Sequence, residues 1–334
     1  MTTRDHQPLY RLTLTPDDLR IWAAPRFEDS NKVAIYRHCC PDGPQTTGDL
    51  HVARWPTIDP SAKLANPSKL IARSGGFEYA AMDTDAAVWH ANFANWDLFS
   101  SYGTEPFAQD EIQALEHPAL GGVREALLAR DLSTLVTDIG PAGPTPTPFT
   151  ISGVQRRAAI DTTPRDDGPW PHGIYGQNFW LAPEEVVLGA TRVIAPPTVS
   201  NILAMEAPAM GSGRYSPNEI YFVLLAAASA FAAARAESQR LWPGKVVEVH
   251  TGYWGCGAYG GDPVLTAACQ IVSASVAGVD RLVFWTWDDA GDARLAVARE
   301  VADAVLGEIA SPLLSNAATL LDSHGFHWGV SDGN

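Results

Sequence analysis

His250-Thr251-Gly252-Tyr253-Trp254-Gly255-Cys256-Gly257-Ala258-Tyr259-Gly260-Gly261-Asp262 decides how the rest of the chain is read. Five of these thirteen residues are glycine. Just before them, Lys245–Val249 alternates β-branched and polar residues, the period of a strand. Just after them, Pro263–Ala277 is alanine-rich with helical apolar spacing, and Asp262-Pro263 supplies an N-cap followed by a first-turn proline. The glycines therefore carry the chain from a strand into a helix N-terminus. There, backbone N–H groups lack intrahelical partners and the helix dipole adds partial positive charge. Glycine lets such a backbone approach a ligand closely. The guest this predicts is an anion, most commonly a phosphate.

Two readings compete for the loop. Gly255, Gly257 and Gly260 spell G-x-G-x-x-G, the dinucleotide fingerprint, and Asp288-Asp289 follow the next strand where a ribose-binding acid would sit. A doubly wound fold needs further βα units after the fingerprint, and about one remains before Asn334. The second match is longer. Thr251 to Asp262 closely resembles the signature loop of poly(ADP-ribose) glycohydrolases, T-G-N-W-G-C-G-A-F-G-G-D, with Tyr253 for Asn and Tyr259 for Phe. Gln270 falls where that family has glutamine. The resemblance implies a macrodomain fold whose loop holds the diphosphate of ADP-ribose.

A second block lies upstream. Ala87–Ala94 reads as a buried strand ending at Asn95, and a loop then leads to a helix opened by Pro106 and closed by His117-Pro118. By pattern alone, Gln109-Asp110-Glu111 is an ordinary acidic first turn favoured by the helix dipole. The resembled family has a strand ending in D-F-A-N, a triglycine loop, then Q-E-E-I on a helix. Here Asn92-Phe93-Ala94-Asn95, Phe99-Ser100-Ser101 and Gln109-Asp110-Glu111-Ile112 follow that order. The likeness runs from about Val88 to Asp289 and thins between Ile139 and Ile202. Asp110 is one methylene shorter than the family's acid, and the triglycine is replaced by side chains.

The chemistry so implied is cleavage at C1 of a ribose. The transition state gains oxocarbenium character while the leaving atom takes a proton. Glu111 is the expected general acid and base, with Asp110 as its partner; Asp110 and Asn95 are expected to hold the ribose hydroxyls. Expected substrate contacts are Gln109, Thr251, Gly252, Trp254, Gly255, Cys256, Gly257, Ala258 and Gly260, with Tyr259 packing over the ribose. Phe99, Ser100 and Ser101 are expected at the pocket wall, where Phe99, Trp96 and Tyr102 would stack on a compact acceptor such as a nucleobase. Cys256 has no evident base and reads as a small residue under the loop. No metal-ligand spacing appears, and the scheme calls for no cofactor.

Bulk properties narrow the partners. The chain has 334 residues and a formal charge of -15, with a pI near 4.9, which argues against an extended nucleic-acid surface. The start of the chain shows no apolar signal-peptide core. The longest apolar run, Ile220–Ala234, is short for a membrane span and reads as a buried helix. Four cysteines without disulfide or zinc spacing suggest a reducing, cytoplasmic setting.

The expected fold is α/β: a macrodomain-like three-layer α/β/α domain with a mixed central sheet over 61–334, and a short N-terminal extension, 1–60, packed on it. Leu19–Ala23 and Val33–His38 read as short strands of that extension. Leu132–Ile139, Ile151–Ile160, Glu185–Ala195 and Asn201–Ala207 read as further strands, and Arg156-Arg157 as a solvated pair. Ser216 and Glu219 form a capping box opening a long helix to Arg240. A strand over 281–287, with Trp285 and Trp287 both in the core, and a helix over 292–308 close the domain.

Three functions are compatible with this reading. The favoured one is an ADP-ribosyl glycohydrolase acting on poly- or mono-ADP-ribose on protein, or on an ADP-ribosylated nucleobase. The others are a non-catalytic ADP-ribose reader and a nicotinamide-dependent oxidoreductase.

Overall fold

The computed structural model describes residues 6–22, 26–43, 46–59, 67–79, 85–141, 143–165, 170–308 and 313–333. The chain begins with β1 (Tyr10–Leu14), α1 (Pro16–Trp22), α2 (Ser30–Cys39), β2 (Leu50–Arg54), β3 (Lys69–Arg73) and β4 (Ala86–Ala94). It continues through α3 (Gln109–Glu116), α4 (Ala119–Leu128), β5 (Thr137–Gly140), β6 (Gly143–Pro146), β7 (Phe149–Ile160), α5 (Gln177–Leu181), α6 (Glu184–Gly189) and β8 (Thr191–Glu206). The last part holds α7 (Pro217–Leu241), β9 (Val246–Thr251), α8 (Pro263–Ala277), β10 (Arg281–Trp285), α9 (Asp289–Glu308) and α10 (Leu313–Asp322).

Eight strands form one sheet in the order β1-β2-β7-β8-β4-β9-β10-β3, and β5 and β6 form a separate hairpin. The β1-to-β8 half is antiparallel, whereas β8, β4, β9, β10 and β3 run parallel. β4 lies inside the parallel half, between β8 and β9, and both its faces are buried. That is why it reads as an almost unbroken apolar run rather than an alternation. Along β8 the faces separate. Leu203 and Met205 enter the core shared with α7, α8, α9 and α10, while Ile202 and Ala204 enter the core shared with α4 and β7. This is the expected mixed-sheet α/β/α sandwich.

Among the described residues of 1–60, the strands are part of the central sheet. β1 and β2 extend the central sheet, and β2 pairs with β7 in register His51 with Ser152. The two runs read as strands are helices. Thr15 and Asp18 exchange hydrogen bonds to open α1, and the Asp29 side chain accepts from Lys32 N at 2.9 Å to open α2. Ile21, Val33 and Ile35 gave these segments a strand-like composition, and the caps outweigh it. Ala23 lies outside the described residues.

Further boundaries shift. Of Glu185–Ala195, the first part is helical (α6) and only Thr191 onward is strand, running sixteen residues to Glu206. Of Leu132–Ile139, the regular strand begins at Thr137. β3 and α10 had no counterpart in the sequence reading. Arg156 is not solvated: it pairs with Glu116 at 2.9 Å and lies 4.3 Å over the Tyr79 ring. Trp285 is buried, but Trp287 lies past the strand end at φ 72° and is 55% exposed.

α7 opens on the expected capping box, Ser216 with Glu219. It is long and apolar enough to cross a membrane by length and composition, yet Ile220, Val223, Leu224 and Phe231 are wholly buried in the core it shares with α8 and α10.

Candidate active site

Residues expected to act together gather at the carboxyl ends of the parallel strands. β9 delivers the glycine loop, β4 delivers Asn95, and β8 delivers Glu206. The loop runs from Gly252 into α8, whose N-cap is Asp262: its Oδ1 accepts from Val264 N at 2.9 Å and Leu265 N at 2.8 Å. Gly255 and Gly260 have φ of 73° and 65°, a region that side chains rarely adopt, and a Cβ on Gly255 would run into Ala207. The loop closes on itself through Gly260 N to Gly257 O at 3.0 Å and Gly261 N to Gly255 O at 2.9 Å. The N–H groups of Gly255, Gly257, Ala258 and Tyr259 engage no backbone acceptor among the described residues. They form the set of donors an anion needs.

Several loop residues expected to touch substrate instead hold the loop in shape. Thr251 Oγ1 donates to Gln270 Oε1 at 2.5 Å, and Gln270 Nε2 donates to Gly252 O at 3.0 Å. Trp254 is fully buried, with its indole N–H on Met205 O at 3.2 Å. Cys256 Sγ lies 3.0 Å from Thr266 Oγ1, and burial pushes its thiol up to about 12, so it is no nucleophile at neutral pH.

α3 carries the acids. Gln109 is spent on structure: Oε1 accepts from Phe93 N at 2.8 Å and Nε2 donates to Ala91 O at 3.1 Å, which stitches α3 onto β4. Asp110 and Glu111 are both buried, with 9% and 6% exposed. Glu111 Oε2 accepts from Ala108 N at 2.9 Å. Burial, followed by the neighbouring Glu111 charge, raises Asp110 well above the usual carboxylate range. Two acids thus share one dry site, and burial beside Glu111 favours the protonated form of Asp110.

Tyr259 joins loop and acids. Its hydroxyl faces the Asn95 side chain, and after burial the charges of Glu206, Asp110 and Glu111 push its ionisation further up. Asn95 Oδ1 also accepts from Asp97 N at 3.3 Å.

The wall expected from Phe99-Ser100-Ser101 differs from the expectation. Phe99, at φ 53°, is 1% exposed and points into the core with Leu98 and Tyr102; Ser100 and Ser101 are half-buried. Tyr102 donates to Glu125 Oε1 and accepts from Arg26 N. Neither ring is offered to an acceptor, so of the three aromatics only Trp96, 51% exposed, faces solvent. An aromatic side chain follows the larger apolar area it can bury, and here that area is the core.

Four residues escaped the sequence reading. Lys32, fully buried on α2, donates to Ser101 O at 3.2 Å and Pro106 O at 2.6 Å, spanning the loop between β4 and α3. Burial lowers it to about 8, against the pull of Glu111, Asp29 and Asp110. Tyr175 is raised by burial and then by the charges of Asp332, Asp110 and Glu111, which lie within electrostatic reach of it. Glu206 is pushed by burial up to about 7, with one oxygen unpartnered. Asp332 reaches the glycine loop: a Cβ on Gly257 would lie 2.8 Å from Asp332 Oδ2. Only Glu206 had left a signal, as the lone acid in the apolar run Asn201–Ala207.

Residues 177–294 match the family model described as poly(ADP-ribose) glycohydrolase, macro domain fold. Over these residues the chain is similar to the poly(ADP-ribose) glycohydrolases. The match takes in β8, β9, the glycine loop and α8, and stops short of α3. Among solved structures, the chain is similar to the poly(ADP-ribose) glycohydrolase of Thermomonospora curvata, at 18% identity and TM-score 0.48, over 85% of this chain and 96% of that one. The same enzyme bound to the inhibitor ADP-HPD gives 19% identity and TM-score 0.48, over 81% and 99%. The Deinococcus radiodurans enzyme in complex with ADP-ribose gives 13% identity and TM-score 0.39, over 88% and 94%. No curated protein matches the chain.

Proposed function

We propose that the protein hydrolyses the bond between C1 of a ribose and its acceptor in an ADP-ribose conjugate, releasing ADP-ribose. One observation carries this reading: Tyr259, on a loop whose N–H groups lack backbone acceptors, hydrogen-bonds the Asn95 side chain and lies within electrostatic reach of the buried acid pair. An anion-binding loop alone fits many ligands. A carboxyl pair in a dry pocket beside it adds the means to cut a glycosidic bond.

In this scheme the N–H groups of Gly255, Gly257, Ala258 and Tyr259 receive the diphosphate, and Asn95 orients the ribose. The C1 bond breaks with its electron pair going to the leaving atom, which takes the proton held by the Asp110–Glu111 pair. Water then adds to C1, and its proton returns to the pair. Glu111, whose Oε2 accepts the Ala108 N–H, faces the oxocarbenium charge and activates the water; Asp110 is the reservoir of the shared proton. This divides the work differently from the sequence-based expectation, in which Glu111 alone acted as acid and base.

The nicotinamide reading loses its footing in the topology. The strand bearing the fingerprint sits inside a mixed sheet and is followed, among the described residues, by one more strand, not by the further βα units that a dinucleotide fold needs. The test is release of labelled ADP-ribose from mono-ADP-ribosylated protein, poly(ADP-ribose) and an ADP-ribosylated oligonucleotide, run in parallel. Release from any one of them supports the reading; binding of ADP-ribose with no release from all three makes the protein a reader.

A further inference from the structure

The segment after α10 crosses the glycine loop. Up to Trp328 it is firmly anchored. Tyr215 N donates to Phe326 O at 3.0 Å, and Trp328 N donates to Gly213 O at 2.8 Å. The Trp328 ring stacks on Tyr215 at 4.2 Å, and its N–H donates to Glu219 Oε1 at 3.1 Å. Gly211 packs so close to that ring that no side chain would fit between them.

Beyond Trp328 the character changes. Gly329, Val330, Ser331, Asp332 and Gly333 are all exposed, and Val330 is 90% so. This strip bonds the loop at two backbone points: Gly329 N to Gly260 O at 2.8 Å and, more weakly, Asp332 N to Gly257 O at 3.4 Å. Gln177 Nε2 holds its far end at Gly333 O, 2.9 Å away. Almost no apolar surface is buried, so little hydrophobic free energy resists lifting it. Asp332, meanwhile, brings a carboxylate against Gly257, at the loop whose free N–H groups suit an anion, and on the side where Tyr175 lies within electrostatic reach of Asp110 and Glu111.

We propose that residues 329–333 form a strap hinged at Gly329, with Asp332 seating the chain's own carboxylate on the anion-binding loop in place of ligand phosphate. A ligand that uses the loop must displace that carboxylate, so apparent affinity is lowered by the fraction of molecules in which the strap is closed. This rests on the proposed function only for the identity of the ligand. The strap itself predicts competition with any phosphate-bearing occupant of the loop.

The experiment uses the full chain with Asp332→Asn and Asp332→Ala, both at an exposed position that leaves the core untouched. Calorimetry measures binding of ADP-ribose and, separately, of inorganic pyrophosphate. Both variants are expected to bind tighter than the native chain by about tenfold, the gain from opening a strap closed in about nine molecules of ten. Unchanged or weaker binding in both variants overturns the strap. If ADP-ribose binds none of the three proteins while pyrophosphate binds the variants tighter, the strap stands and the proposed function falls. If neither probe binds any of them, both fall.

Discussion

Gln109 Oε1 accepts the Phe93 backbone N–H at 2.8 Å, inside the sheet rather than in the cleft. The bond fixes α3 against β4, and with it the offset between the acids on the helix and Asn95 at the strand end. Gln109→Ala leaves the Phe93 N–H unpaired, whereas Ala91 O keeps a donor from Gln113. One buried donor without a partner costs about 1–3 kcal/mol. The variant is expected to melt several degrees lower by calorimetry and to lose turnover with little change in ADP-ribose affinity. Unaltered melting would mean that α3 is held elsewhere.

Asp110 gives a pH signature. Its folded pKa lies above that of the unfolded chain, about 3.9, so the native state keeps a proton that the unfolded state has released. Stability therefore falls as pH rises from the unfolded value through the folded one. Asp110→Asn removes this penalty and is expected to melt higher than the native protein at about pH 7, with the difference fading toward about pH 4. Thermal melts across that range check it; a variant less stable at every pH would contradict it. The expected cost is activity, the usual exchange at a destabilised active site.

Lys32 tests the support of the same site from the N-terminal part of the chain. Lys32→Met keeps the aliphatic stem but strips the donors from Ser101 O and Pro106 O. Relief of ammonium burial offsets part of the loss, yet two carbonyls lose their donor and the loop between β4 and α3 loses its tie. A net loss of about 1–3 kcal/mol is expected in urea titration. Because burial lowers the native lysine to about 8, native stability rises with pH from about 8 toward its unfolded pKa, about 10.4, and this slope should vanish in the variant. Equal slopes in the two proteins would remove Lys32 from its buried setting.

The glycine loop and the helix after it were legible in the sequence because their signals are local. Asp262 caps α8, Pro263 opens it, and the positive φ of Gly255 and Gly260 requires their residue type. β4 was legible because a strand covered on both faces must be apolar throughout. Strand order was not legible, since pairing β3 with β10, or β2 with β7, depends on contacts far apart in sequence. α1 and α2 were misread because β-branched composition was weighed above the Thr15–Asp18 and Asp29–Lys32 caps. The aromatics near Phe99 were expected in the cleft, and no local pattern tells a ring facing a pocket from one facing a core. Lys32, Tyr175 and Asp332 come to the cleft from three distant segments, and only the folded chain brings them there.

The central claim is that the acid pair on α3 breaks a glycosidic bond. Glu111→Gln keeps an oxygen to accept the Ala108 N–H and removes only the charge and the proton exchange. Single-turnover release of ADP-ribose from a labelled conjugate, measured beside calorimetric binding of ADP-ribose, tests this most directly. The expected result is release slowed by about 10²–10⁴ with affinity held within a few-fold. A variant that releases ADP-ribose at the native rate would contradict the account.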